Sequence, residues 1–134
     1  MTAVDTNILV RLLTGDEPRQ SAEARTLFAA GPIWIAKTVF LETDWVLRSA
    51  YGFEEGAIRS AFTKVLGLKN VHVEDEPSLA AALGLMAHGI DLADAMQLSS
   101  RPANAAFVSF DKAFVRRARR AGVSGVSGIS GDYR

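Results

Sequence analysis

Four acidic residues stand where a carboxylate is costly without a partner, and together they could hold a divalent cation. Asp5 closes the short apolar approach Thr2-Ala3-Val4. Glu42 lies in a largely apolar helical stretch. Its neighbours at three and four positions are Thr38, Val39, Trp45 and Val46, so no basic side chain can pair with it along the helix. Asp94 is flanked in the same way by Ile90, Asp91, Gln97 and Leu98. Asp111 ends the apolar run Ala105 to Phe110 and opens the next helix. Asp44 makes the contrast: Arg48 stands four residues on and explains it. Taken singly, Asp5, Asp91 and Asp111 could be helix caps, worth about 1 kcal/mol each.

Their conjunction carries more. In a parallel sheet the strands end on one edge, and that edge hosts sites. Asp5 and Asp111 therefore belong on the same edge, and helices carrying Glu42 and Asp94 could join them there. Carboxylates converged in a half-buried cleft cannot all ionise without cations. Hard oxygen ligands with neither histidine nor cysteine select Mg²⁺ or Mn²⁺. Such a site suits metal-assisted attack of water on a phosphodiester.

The elements that must position these acids follow from periodicity and punctuation. Ile8, Leu9, Leu12 and Leu13 recur at helical spacing, and Gly15-Asp16-Glu17-Pro18 ends that run. The pattern predicts helices over 19–30, from a Thr38 cap to about residue 50, and over 54–67. Further helices are expected over 77–88, 91–100 and 112–121. Strands are expected before Asp5, at Ile33–Ala36, at Val71–Val73 and across Ala105–Phe110. Strands alternating with helices imply an α/β fold, three layers deep, around a short, mostly parallel central sheet of four to five strands. No linker appears, so a single domain over 1–134 is expected. The glycine-spaced tail after Gly122 reads as an edge strand with turns or a mobile end.

Composition narrows the class. Hydrophobic residues make up 49% and charged residues 22%, the balance of a globular protein. The absence of cysteine excludes disulfide frameworks, thiolate zinc sites and cysteine nucleophiles. No apolar run is long enough to span a bilayer and no signal peptide is evident, so no membrane association and a cytoplasmic location are expected. Charge is uneven: residues 1–100 carry 8 basic and 13 acidic side chains, residues 101–134 carry 7 and 2. The basic end hints at a polyanion, with Arg116, Arg117, Arg119 and Arg120 as phosphate-binding candidates, Arg116 and Arg120 first among them because they lie one turn apart, and Arg11 as a further candidate. Trp34 and Trp45 read as core or dimer contacts rather than as stacking platforms. The cluster of large apolar side chains Phe28, Phe40, Trp45, Tyr51 and Phe53 leads us to expect a homodimer.

Other classes fit less well. A phospho-receiver wants adjacent acids after the first strand and a late lysine, whereas this strand ends Asp-Thr-Asn. A phosphatase with an aspartyl nucleophile wants Asp-x-Asp, and Asn7 holds the third place. No Gly-rich phosphate loop and no G-x-S-x-G elbow is present. A non-catalytic module whose acids are merely caps remains the alternative from a different class.

The stretches around the acids resemble the PIN-domain ribonucleases, and more narrowly the VapC-type toxins of type II toxin–antitoxin pairs. The matching segments are Val4-Asp5-Thr6-Asn7-Ile8-Leu9-Val10-Arg11, Phe40-Leu41-Glu42-Thr43-Asp44-Trp45-Val46-Leu47-Arg48, Asp91-Leu92-Ala93-Asp94-Ala95-Met96 and Val108-Ser109-Phe110-Asp111-Lys112-Ala113-Phe114. They occur in the family's order over about residues 3–121. The resemblance implies a PIN-like fold and a Mg²⁺- or Mn²⁺-dependent endoribonuclease. It implies catalytic acids at Asp5, Glu42, Asp94 and Asp111. Asp5 and Asp94 would hold the principal ion, with Glu42 and Asp111 acting directly or through water. Asn7, Ser109 and Asp91 would orient those ligands. It further implies an RNA substrate, a small VapB-like antitoxin as inhibitor and, in many relatives, a dimer. Gln97 and Ser109 stand where relatives usually carry His and Thr, and neither change removes a ligand.

Overall fold

The computed structural model describes residues 1–129 and divides into two compact units, Met1–Glu76 and a second that begins at Pro77. In the first, β1 (Thr2–Ala3), β2 (Ile33–Ile35) and β3 (Val71–Val73) form one parallel sheet in the order β1-β2-β3. Thr2 pairs with Ile33, and Ile33 and Ile35 pair with Val71 and Val73. Parallel neighbours need long crossovers. Helices α1 (Thr6–Thr14) and α2 (Pro18–Ala30) make the first crossover, and α3 (Lys37–Ser49) and α4 (Glu55–Leu66) the second. β2 is bonded on both edges, and its alternate residues Ile33 and Ile35 are buried.

Local chemistry sets the boundaries of these helices. Asp5 caps α1 by accepting the Ile8 N–H at 3.2 Å, and Gly15 ends that helix in the left-handed region at φ 63°. Glu17 accepts the Gln20 N–H at the start of α2, whose first residue is Pro18. The expected Thr38 cap is not found. Ala36 occupies the cap position of α3 and offers no side-chain acceptor. A residue distant in sequence does that work instead: Glu74 Oε1 accepts the Lys37 N–H at 3.0 Å, and Lys37 Nζ meets Asp75 at 3.2 Å. The core beneath includes Leu9, Phe28, Phe40, Leu47, Ile58 and Phe62, with Phe40 and Phe62 edge to face at 5.1 Å. Phe28 and Phe40 are therefore core residues, which corrects their assignment to an exposed dimerisation patch.

The second unit holds α5 (Glu76–Met86, whose first residue belongs to the first unit), α6 (Leu92–Ser99), β4 (Phe107–Val108), α7 (Lys112–Arg120) and β5 (Val126–Ser127). β4 and β5 pair in parallel, Phe107 with Val126 and Val108 with Ser127. Arg101 ties the ends of this pair together, donating to the carbonyls of Ala105 (2.6 Å) and Ser124 (2.7 Å). The core is built from Leu79, Met86, Leu92, Leu98, Phe114 and Val115.

The α/β class and the parallel strands are as expected. Among the described residues, five strands form a sheet of three and a sheet of two. The apolar run Ala105–Phe110 is strand only at Phe107–Val108, because Ser109 turns the chain and Phe110 faces solvent at 74% exposure. The tail holds β5 as far as Ser127, whereas Ser130 and Gly131, part of the same expected edge strand, lie outside the described residues. Among the described residues no helix is long and apolar enough to cross a membrane.

Candidate active site

In the first unit, Asp5 and Glu42 line one open groove of about 850 Å³, together with Thr6, Asn7, Thr38 and Trp45. The geometry follows from sequence. Asp5 sits where β1 passes into α1, and Glu42 lies on α3 one turn before Trp45. The Thr6 hydroxyl donates to Glu42 Oε1 in a short hydrogen bond. Asp5 and Asn7 also line a second cavity of about 370 Å³, with Ile8, Arg11, Gln20 and Glu23. Arg11 is engaged there: its Nε donates to Gln20 (2.8 Å) and its Nη1 to Asp16 (3.2 Å) and to the Tyr51 hydroxyl (3.0 Å). Tyr51 donates in turn to Asp16 at 2.6 Å, and Thr14 donates to it at 2.8 Å. These hydroxyl bonds, with the Arg11 charge after them, hold the Asp16 carboxyl below its ordinary range. A phosphate would meet only the part of Arg11 that this network leaves. Asp44 pairs with Arg48 at 3.0 Å, as its spacing predicts.

In the second unit, Asp91, Asp94 and Asp111 line one small cavity of about 140 Å³ with Gly89, Phe114 and Arg117. Asp91 caps α6, accepting the Asp94 N–H at 2.9 Å, and so fixes the residue that follows it by three. Asp111 caps α7 through the Phe114 N–H at 3.0 Å, and its own N–H donates to Ser109 Oγ at 3.0 Å. Both caps are real, and both acids nonetheless face the cavity. The Asp94 carboxyl is pushed above its ordinary range, first by burial and then by the negative charges of Asp91 and Asp111. An acid held in this way gains from any cation that enters. The donor set is entirely carboxylate oxygen, which fits a hard divalent ion. Among the described residues no three acidic or histidine side chains close together on a metal by themselves.

Of the four arginines of α7 that the sequence offers as phosphate-binding candidates, Arg117 is the one that reaches the acids. Arg116, Arg117 and Arg120 are all exposed on α7, but Arg117 also borders the acid cavity, its side chain laid over Gly89. A Cβ at Gly89 would meet Arg117 Nε at 3.5 Å, and the φ of +80° there also favours glycine. Its place follows from spacing: Asp111, Phe114 and Arg117 follow one another at three-residue steps along the helix. Arg119 is committed elsewhere, donating to the Val126 carbonyl at 2.9 Å.

Residues 2–120 match the family described as PIN domain, so this chain belongs to that family. Among solved structures the chain is similar to the crystal structure of Mycobacterium tuberculosis VapC20, described as a sarcin-ricin loop cleaving toxin. The two share 20% identity over 99% of this chain and 92% of that one, with a TM-score of 0.44. No curated protein matches the chain.

Proposed function

We propose that this protein is a metal-dependent endoribonuclease acting as the toxin of a toxin–antitoxin pair. The observation that carries the reading is the PIN family match over residues 2–120, which spans all four acids singled out from the sequence. The Asp91–Asp94–Asp111 cavity supports it, because burial and the neighbouring negative charges push the Asp94 carboxyl up and a cation there would relieve them.

Asp5 and Asp94 would be the principal ligands of a Mg²⁺ or Mn²⁺ ion, with Glu42 and Asp111 acting directly or through water. When bound, the ion lowers the pKa of a water molecule and offsets charge on the phosphoryl oxygens. The chain's own residues do the rest. Asp91 and Ser109 pin the backbone at Asp94 and Asp111, Thr6 orients Glu42, and Asn7 stands beside Asp5 in both cavities it lines. Arg11, Arg116 and Arg120 contact RNA phosphates. None of the three acid-lined cavities contains a histidine, the usual acid and base for attack by the 2′-hydroxyl. Water is then the nucleophile, and the products carry 5′-phosphate and 3′-hydroxyl ends.

A VapB-like antitoxin is the partner, the active form is a cytoplasmic homodimer, and residues 1–134 act as one nuclease domain. The test is incubation of the purified chain with RNA and Mn²⁺. Cleavage to 5′-phosphate ends that EDTA and Asp94→Asn both stop is expected. A 2′,3′-cyclic phosphate product, or full activity in excess EDTA, overturns the mechanism.

A further inference from the structure

Most aromatic rings of the described chain have an evident structural use. Phe40 and Phe62 pack edge to face, Tyr51 and Phe53 do so at 6.3 Å, and Phe107 and Phe114 meet at 5.5 Å. Phe28 is buried, and Trp34 lies between buried residues of β2. Two rings stand apart. Trp45 is 67% exposed and Phe110 is 74% exposed, and among the described residues neither shares a contact with another ring. Water-exposed rings of this size contribute little to folding, since the apolar surface that would stabilise the fold stays wet.

Their positions are not random. Trp45 is one helical turn beyond Glu42 and lines the same groove as Glu42 and Asp5. Phe110 directly precedes Asp111, whose carboxylate lines the acid cavity of the other unit. In the first unit a bare aromatic ring thus lines the groove of two candidate ligands, and in the second a bare ring is the chain neighbour of one. The Trp45 groove also offers the Thr6 and Thr38 hydroxyls and the Asn7 amide, groups able to bond a base edge. Unpaired bases are recognised by this combination of stacking on an aromatic plane and hydrogen bonding at the edge. Bases in a duplex have no free face to offer.

We propose that Phe110 and, against its sequence reading as a core or dimer contact, the 67%-exposed Trp45 are stacking platforms for unpaired RNA bases near the cut. The proposal rests on the ribonuclease reading and adds to it the residues that select the substrate.

The experiment uses the full chain, Mn²⁺, a short mixed-sequence single-stranded RNA and the same RNA annealed to its complement. Trp45→Ala and Phe110→Ala are each expected to lower kcat/KM on the single strand by about tenfold, chiefly through KM. Trp45→Phe and Phe110→Trp should keep most of the activity. In an Asp94→Asn background the single strand should quench tryptophan emission, and adding Trp45→Phe should remove the quenching. If the wild-type chain leaves RNA intact, the ribonuclease reading fails and takes this one with it. If the wild type cuts, but both alanine variants cut equally fast and no quenching occurs, only this inference is overturned. It is also overturned if the alanine variants sediment as smaller species and regain activity at high protein concentration, because the rings then serve a contact between copies of the chain.

Discussion

The two units carry the same kind of residue in opposite electrostatic circumstances. In the first, Asp5 and Glu42 are each already served by a donor, the Ile8 N–H and the Thr6 hydroxyl. In the second, Asp94 gives its backbone N–H to Asp91, while its carboxyl faces the charges of Asp91 and Asp111 and rises in pKa. A carboxylate that accepts donors contributes to folding. One held against like charges is a cost in the folded state that a cation relieves. The sequence makes these acids look equivalent, and the structure separates them into acids that stabilise and an acid that waits.

The largest effect that can break this contrast is on activity. Asp94→Asn should cut RNA cleavage to about one hundredth or less, since even groups that merely support a metal ligand are worth 10–100-fold. The same variant should unfold at a higher temperature than wild type without metal, and wild type should regain the difference on adding Mn²⁺. A lower melting temperature in Asp94→Asn would show that the Asp94 carboxylate is stabilising after all. Next in size is the scaffold beneath the groove: Phe62→Ala should cost about 3–5 kcal/mol by denaturant titration, because it empties a fully buried edge-to-face contact.

Asp5→Ala sharpens the comparison. It should also abolish cleavage, but it should lower stability by about 1 kcal/mol, the value of a lost cap. Opposite stability changes for Asp5 and Asp94, at equal loss of activity, are the signature of the two environments. The pH dependence separates them again. The folded-state pKa of Asp94 is raised, so the native state holds that proton more tightly than the unfolded chain, and stability falls as pH rises through its titration. Asp16 is the reverse case: its pKa is lowered, so its contribution is present above the unfolded value and is lost as pH falls through the folded one. Carboxylate-carbon NMR should show Asp94 titrating late until Mn²⁺ is added, and Tyr51→Phe should weaken the acid-side loss assigned to Asp16. The smallest effect concerns Thr43, buried between Glu42 and Asp44 with an unpartnered hydroxyl. Thr43→Val should leave stability unchanged or raise it by about 1 kcal/mol while sparing activity.

Much of this was legible in the residues. Asp5, Asp91 and Asp111 read as caps, and Asp44 as the partner of Arg48, because caps and one-turn ion pairs are local rules. The misses share a cause: each depends on a partner far along the chain. Thr38 looked like a cap because nothing near α3 reveals that Glu74 will do its work. Ala105–Phe110 looked like one strand because composition cannot tell an inward Phe107 from an outward Phe110. All four arginines of α7 were candidates and a spacing rule put Arg116 and Arg120 first, yet it is Arg117 that borders the acids, beside Gly89.

The borrowed cap of α3 bears on how this protein can be re-engineered. The helix that carries Glu42 and Trp45 begins on an acceptor thirty-seven positions downstream, with Lys37 Nζ held by the next residue, Asp75. It is therefore not a portable cassette. Transplanted into a related scaffold without Glu74 and Asp75, its first turn would fray and the groove side chains would lose their register. Recombination points chosen to swap substrate preference between relatives should keep residues 37 and 74–75 on the same parental segment.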